Sequence, residues 1–394
     1  MNRLNRVSVE RAAAWIDAAT HCLAAEDAAL EMAAGRVIAA DIHAPNPIPP
    51  MDCAAIDGYA VRAEESLGAG AYNPLSLPAM EIESGEAVPV GTDAVVPFEQ
   101  AEPDAAGRVG VVEPVAPGAN VDRAGAAAAA GALLVATGAC LTPRHIGLLA
   151  VVGFTSVPAI RRPRVCLVIA GRARSGARID GNRPMLRALI ERDGGLVIDA
   201  PLSDAFGAGA DFVLVAGGAR GREDLSAAVL GSSGSLDFHG VALVPGGMAG
   251  FGRTSGGAPV LLLPGAPADC LWNYELFAGR AIRRLGGHDP ELPYRSRTVA
   301  TTRKIVSAIG MTEICPIRRL PDGRVEPVAS FAEAGLTAAI DADGFVIVPE
   351  ACEGYPAGAQ VTAYFYEERR FARSRDHERH PRDLAPPGAS GAVP

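Results

Sequence analysis

Val165-Cys-Leu-Val-Ile169 runs directly into Ala170-Gly-Arg-Ala-Arg-Ser-Gly176, and Phe212-Val-Leu-Val215 into Ala216-Gly-Gly-Ala-Arg-Gly-Arg-Glu-Asp224. Both openings are short, uniformly apolar and soon followed by glycine, with a helical stretch, Pro184 to Glu191, between them. Apolar strands that alternate with helices indicate a parallel sheet buried on both faces, because a half-exposed strand would alternate polar and apolar residues instead. Ligands of such sheets bind where strands end and loops begin. The sequence therefore directs attention to these two loops and to a third, Leu263-Pro-Gly-Ala-Pro267.

Upstream, residues 8 to 34 carry small and apolar residues at helical spacing, with Ser8 placed as a cap and Gly35 as a stop. The prolines at 45, 47, 49 and 50 force extended backbone and mark a boundary near residue 46. From 46 to 139 short β runs (58–61, 93–96, 108–112) alternate with turn residues and read as a small barrel or sandwich. A helix over 142–152, with Thr142 as cap and Pro143 at its first position, returns the chain to the opening unit and makes the β region an insertion. The expected organisation is a helical domain (1–45 and 140–163), an inserted β domain (46–139), a doubly wound α/β domain (164–290) and a C-terminal β domain (291–368). Beyond residue 369 the text is charged and then rich in proline, glycine and alanine, which predicts a disordered tail.

With 394 residues the chain spans about two to three domains and needs no staple. It carries 45 glycines, 31 prolines and 49% hydrophobic residues, a globular composition. The net charge is −9, and Lys304 is the only lysine. No basic stripe precedes the tail, which argues against a nucleic-acid binder, and no apolar stretch reaches the roughly 20 residues of a membrane span. Seven cysteines are scattered singly with no C-x-x-C pair and no secretory leader ahead of them, so reduced, mostly buried thiols in a cytoplasm are expected.

The glycine loops have the materials of an anion site. Gly217 and Gly218 allow close backbone approach, and Arg172, Arg220 and Arg222 add positive charge, although a glycine pair at a strand end is equally a tight turn. Asp204 and Asp224 could hold a divalent cation or cap helices. Asp57-Gly58 is a turn signature that could also present a carboxylate. The histidines are isolated, and no serine sits in a G-x-S-x-G context, so neither a histidine metal site nor a hydrolase triad is indicated.

Taken together, several stretches resemble the molybdopterin molybdotransferase family, bacterial MoeA and the related E domain of gephyrin. The most specific is Pro49-Pro-Met-Asp-Cys-Ala-Ala-Ile-Asp-Gly-Tyr-Ala-Val61, supported by Val90-Gly-Thr-Asp-Ala-Val-Val96, Arg162-Pro-Arg-Val165, Asp180-Gly-Asn182, Ala216-Gly-Gly, Leu263-Pro-Gly-Ala-Pro267 and Ala342-Asp-Gly-Phe-Val-Ile-Val-Pro349. The resemblance spans residues 8 to about 367 in order. It implies an elongated subunit with a C-terminal β barrel that dimerises. Its activity would be insertion of molybdate into adenylylated molybdopterin with Mg2+ or another divalent cation, releasing AMP. By position it implies catalytic roles for Asp57, Asp204 and Asp224, the last two also as metal ligands. Substrate contacts would come from Ser84, Gly171, Asn182, Gly217, Gly218, Gly221, Arg253 and Gly265.

Departures from the family pattern cluster at the chemistry. Arg172 and Ala173 stand where the family has acids, Val244 and Gly247 where it has lysines, and Asn120 where it has aspartate. The loop after Ala216 is one residue short. These losses keep a second reading open, a non-catalytic relative that binds molybdopterin or finished cofactor and delivers it to a client molybdoenzyme.

Overall fold

The computed structural model describes residues 6–104, 106–170, 180–201, 209–217, 225–330, 333 and 335–366. Four parallel strands lie side by side in the spatial order Leu196–Asp199, Arg164–Ile169, Phe212–Ala216 and Pro259–Leu263, and Gly250–Thr254 and Gly234–His239 extend the sheet antiparallel. Val165 and Leu167 face one core with Leu186 and Ile190 of helix Asn182–Arg192, and with Trp272 and Phe277. Cys166 and Val168 face the other, beside Val213, Val215 and Leu230 of helix Leu225–Ser233. Burial on both faces is why these strands read as unbroken apolar runs; each fully buried Leu, Val or Phe contributes about 1.5–3 kcal/mol.

Helix Val9–Ala19 begins as expected. Ser8 Oγ accepts from Arg11 N at 3.1 Å, and the helix buries Ala12 and Ile16 against the sheet core. The cap satisfies an N–H that has no partner inside the helix, so Ser8→Ala should lower stability by about 1 kcal/mol, read as a shifted urea midpoint. The helix stops at Thr20, and the rest of the expected helical stretch is something else: Ala25–Ala29 is a strand and Leu30–Met32 a single 3-10 turn. Tertiary pairing overrides propensity here, since Ala25–Ala29 aligns antiparallel with Ser156–Ile160 along all five residues. Helix Pro143–Val152 has proline at its first position, Thr142 N donates to His145 Nδ1 at 3.1 Å, and Gly153 closes it at φ 97°. Together with strand pair Ile42–His43 and Leu133–Val135, these elements enclose a separate core around Ile38, Leu141 and Leu149.

Between them lie two three-stranded antiparallel sheets. One orders Met80–Ile82, Gly58–Val61 and Ala94–Pro97; the other orders Leu75–Pro78, Arg108–Val111 and Glu102–Pro103. At the C-terminal end the strands form one curled sheet, in which Val325–Pro327 pairs with Thr312–Arg319 and a parallel bridge links Thr301, just past Arg295–Ala300, to Val325; the strand ladders do not by themselves close the expected barrel. The main path of the sheet runs Leu243–Val244, Thr312–Arg319, Gly344–Val348, Gln360–Phe365 and Arg295–Ala300. One end of that path, Leu243–Val244, comes from the middle of the chain, so the α/β unit and the C-terminal sheet share a parallel ladder.

Of the cysteines, Cys53, Cys166 and Cys270 are buried, Cys315 and Cys352 half-buried, and Cys22 and Cys140 exposed, so burial of the thiols is only partial. No helix among the described residues is long and apolar enough to cross a membrane. The expected tail lies outside the described residues.

Candidate active site

The carboxyl ends of three parallel strands are sewn together by backbone. Ala170 N donates to Ala216 O at 2.8 Å, and Gly217 N to Leu263 O at 3.0 Å. Gly217 has φ 100°, and a Cβ there would lie 2.0 Å from Ala170 O, so only glycine fits. A Cβ on Gly265 would sit 3.4 Å from Gly217 Cα. Asn182, 7% exposed at the start of its helix, donates from Nδ2 to Gly265 O at 3.0 Å. Asp180 Oδ1 accepts from the backbone N–H groups of Asn182 and Arg183 and so caps that helix. Three of the expected substrate-contact residues, Asn182, Gly217 and Gly265, are thus one cluster.

Asn182 Oδ1 is buried and has no hydrogen-bond partner among the described residues. An unmade bond on a buried amide oxygen costs about 1–3 kcal/mol, a cost removed when a ligand supplies an N–H, an O–H or a hard cation. That donor chemistry suits a divalent ion as well as a polar substrate. No group of three His, Cys, Asp or Glu able to hold a metal occurs among the described residues. Asp204 and Asp224, the expected ligands, lie outside them, as do Gly171, Arg172, Ala173, Gly218, Arg220, Gly221 and Arg222.

Asp57 and Ser84 come together in the β unit. Ser84 N donates to Asp57 Oδ1 at 2.7 Å, and Ser84 Oγ to Ala55 O at 3.2 Å; both residues are exposed. Gly58 behind them has no room for a side chain, since a Cβ would meet Val96 O at 2.1 Å, and this fixes the turn that presents the carboxylate. No hydrogen bond or ion pair among the described residues ties Asp57 to the Asn182 cluster.

Arg253 is corrected. It pairs with Pro259, the first residue of the strand whose last residue is Leu263, so it lies at the opposite edge of the sheet, roughly 13 Å along the strand. Its guanidinium lies over the Trp15 ring, 5.4 Å from the centroid.

The departures acquire local explanations. Asn120 adopts φ 55°, a conformation asparagine tolerates, and donates from Nδ2 to Val95 O at 2.8 Å, a bond that an ionised aspartate has no proton to make. Val244 is taken into the ladder with Glu313. A Cβ at Gly247 would lie 3.2 Å from Leu243 O and Val241 O, and 3.5 Å from Arg6 Cζ, so a cation from the N-terminal segment stands beside the position where the family has lysine. Nothing in the local pattern around Arg6 signals the pairing of Val7 with Val241 that brings it there.

A parallel sheet covered on both faces, with glycine backbone at its carboxyl ends and, among the described residues, a buried amide oxygen without a partner, is the arrangement in which α/β proteins bind ligands at strand termini. More particularly, the chain belongs to the MoeA family. Residues 7–153 match the family model described as MoeA N-terminal region (domain I and II), and residues 298–366 the one described as MoeA C-terminal region (domain IV). The chain is 33% identical over 292 residues to molybdopterin molybdenumtransferase of Haemophilus influenzae, covering 66% of this chain and 72% of that protein. It is 29% identical over 385 residues to molybdopterin molybdenumtransferase 2 of Mycobacterium tuberculosis, covering 85% and 93%. Among solved structures it is similar to the molybdopterin biosynthesis moeA protein of Pyrococcus horikoshii, with a TM-score of 0.69, 29% identity and coverage of 92% and 100%.

Proposed function

We propose that this chain is a molybdopterin molybdenumtransferase of molybdenum cofactor biosynthesis, inserting molybdate into adenylylated molybdopterin with release of AMP. The observation that carries the reading is the Asn182–Gly217–Gly265 cluster, where backbone can approach a phosphorylated pterin and a buried amide oxygen has no partner among the described residues. Gly171, Gly218 and Gly221 extend this cradle in the reading, and Asp204 and Asp224 hold a divalent cation such as Mg2+, which when bound offsets phosphate charge. The chain's own groups position the substrate; Asn182 fixes a polar edge, and the glycines admit the phosphates. Asp57, oriented by the Ser84 N–H, closes the site from a second copy of the chain, which makes the working form a homodimer in a cytoplasmic setting. Relatives that carry transferase names give no support to the non-catalytic alternative, with its client molybdoenzyme.

The test is direct. Purified protein given adenylylated molybdopterin, molybdate and Mg2+ should release AMP and yield cofactor that reconstitutes an apo-molybdoenzyme. AMP release no higher than a protein-free control would defeat the reading.

A further inference from the structure

A cavity of about 780 Å³ opens at the other edge of the parallel sheet, between the N-terminal unit and the α/β unit. It lies at the strand beginnings, roughly 17 Å along the strands from Gly217. Part of its wall is aliphatic, Val37, Ile160 and Leu292, and part is charged. Five arginines line it, and four have carboxylate partners: Arg36 with Glu26, Arg161 with Asp211, Arg192 with Asp193 and Glu275, and Arg283 with Asp193. Arg162 is different. Its Nε and Nη2 donate to the carbonyls of Gly194 and Gly195 at 3.0 and 2.9 Å, while among the described residues no carboxylate lies within ion-pair distance and Nη1 makes no hydrogen bond.

Two carbonyls therefore hold a half-buried guanidinium in a fixed orientation without neutralising it. Burial, with the neighbouring Arg36 charge, pulls the Arg162 pKa down against the opposing pull of Glu191, a carboxylate on the same cavity wall that lies beyond ion-pair distance. His288 lines the same cavity and makes no side-chain hydrogen bond among the described residues, and burial keeps its pKa below the ordinary value. A fixed guanidinium with a free N–H beside an aliphatic wall, in a space of ligand size, matches an anionic head on an apolar body.

We propose that this cavity is a second binding site, distinct from the strand-terminal site, that takes a small organic phosphomonoester, with Arg162 holding the phosphate and the Val37–Ile160–Leu292 wall holding the organic part. The proposal does not depend on the transferase reading, because its residues lie at the opposite edge of the sheet.

The probe is phenyl phosphate, titrated calorimetrically into the full chain, with phenol as the uncharged control. Phenyl phosphate should bind and phenol should bind at least tenfold more weakly. Arg162→Gln should weaken phenyl phosphate at least tenfold. Since that change also loosens the Gly194 and Gly195 carbonyls, Ala34→Trp serves as a second variant: Ala34 is exposed on the cavity wall, so a bulky side chain there takes up cavity space from a solvent-facing position. Loss of binding in both variants, with unchanged circular dichroism, supports the site. Absence of phenyl phosphate binding, equal binding of phenol, or unaltered binding in folded Ala34→Trp overturns it.

Discussion

Asp193→Ala should cost the α/β unit about 3–5 kcal/mol of unfolding free energy, read as a large fall in the denaturation midpoint by tryptophan fluorescence. Asp193 is 4% exposed and is paired with Arg192 Nη2 and Arg283 Nη1, each at 2.9 Å, and with the Tyr274 hydroxyl at 2.9 Å. Arg192 also engages Glu275 at 2.8 Å, but the Arg283 side chain, 6% exposed, has no second carboxylate among the described residues. Removing Asp193 therefore leaves a buried guanidinium whose remaining partner among the described residues is the Pro290 carbonyl, which accepts from its Nη2 at 3.1 Å. A buried charge that loses its partner bears its full desolvation, whereas an exposed pair of the kind Arg324 makes with Asp322 is screened by water and contributes little. The same burial, with the Asp193 charge, pushes the Tyr274 phenol far above its usual pKa, which agrees with a dry site. Both tryptophans pack in this core, so their emission reports its unfolding. Asp193→Asn should lose less, because its amide oxygen still accepts from Tyr274. A fall below roughly 1 kcal/mol in the alanine variant would show that water screens the network.

Much of this architecture was legible in the order of residues, and the reasons are physical. The runs at 165–169 and 212–216 could only be strands buried on both faces, and Ser8, Pro143 and Gly153 punctuate helices through their own backbone chemistry. What stayed hidden was set by distant pairing. Nothing local in Ala25–Ala29 says that Ser156–Ile160 will recruit it into a strand, and alanine-rich text favours helix until a partner appears. The C-terminal strands were readable one by one, but the long-range pairings that order them, such as the bridge of Thr301 to Val325, are not encoded in strand composition. The site divides along the same line. Asn182, Gly217 and Gly265 belong to strand-end loops whose place follows from the parallel topology, whereas Arg253, implied only by the resemblance, sits on an antiparallel strand beside Pro259, the first residue of the strand that ends at Leu263. Arg6 reached Gly247 through a bridge between Val7 and Val241, far apart in the chain.

Gly217→Ala should lower kcat/KM for cofactor formation by about two orders of magnitude while leaving the protein folded. The added methyl would stand 2.0 Å from Ala170 O, a backbone atom with no rotamer to escape into, so either the Ala170 or the Gly217 segment must move by roughly 1 Å or more. Both segments are held by the bonds from Ala170 N to Ala216 O and from Gly217 N to Leu263 O. Movement therefore passes to Gly265, in contact with Gly217, and through the Gly265 carbonyl to Asn182. Displacement on this scale at a positioning site costs about 100-fold, or some 2.7 kcal/mol of transition-state stabilisation. The fold survives because the strand beneath, Phe212 to Ala216, is at most 1% exposed and keeps its packing. Backbone strain alone is separable from the clash. Gly153 has φ 97° and open space within 4 Å of where a Cβ would stand, so Gly153→Ala carries the same left-handed penalty of about 1–2 kcal/mol and should leave kcat/KM unchanged. If Gly217→Ala stays folded with wild-type turnover, the strand-terminal cluster does not position the substrate, and the assignment of Asn182 and Gly265 falls with it.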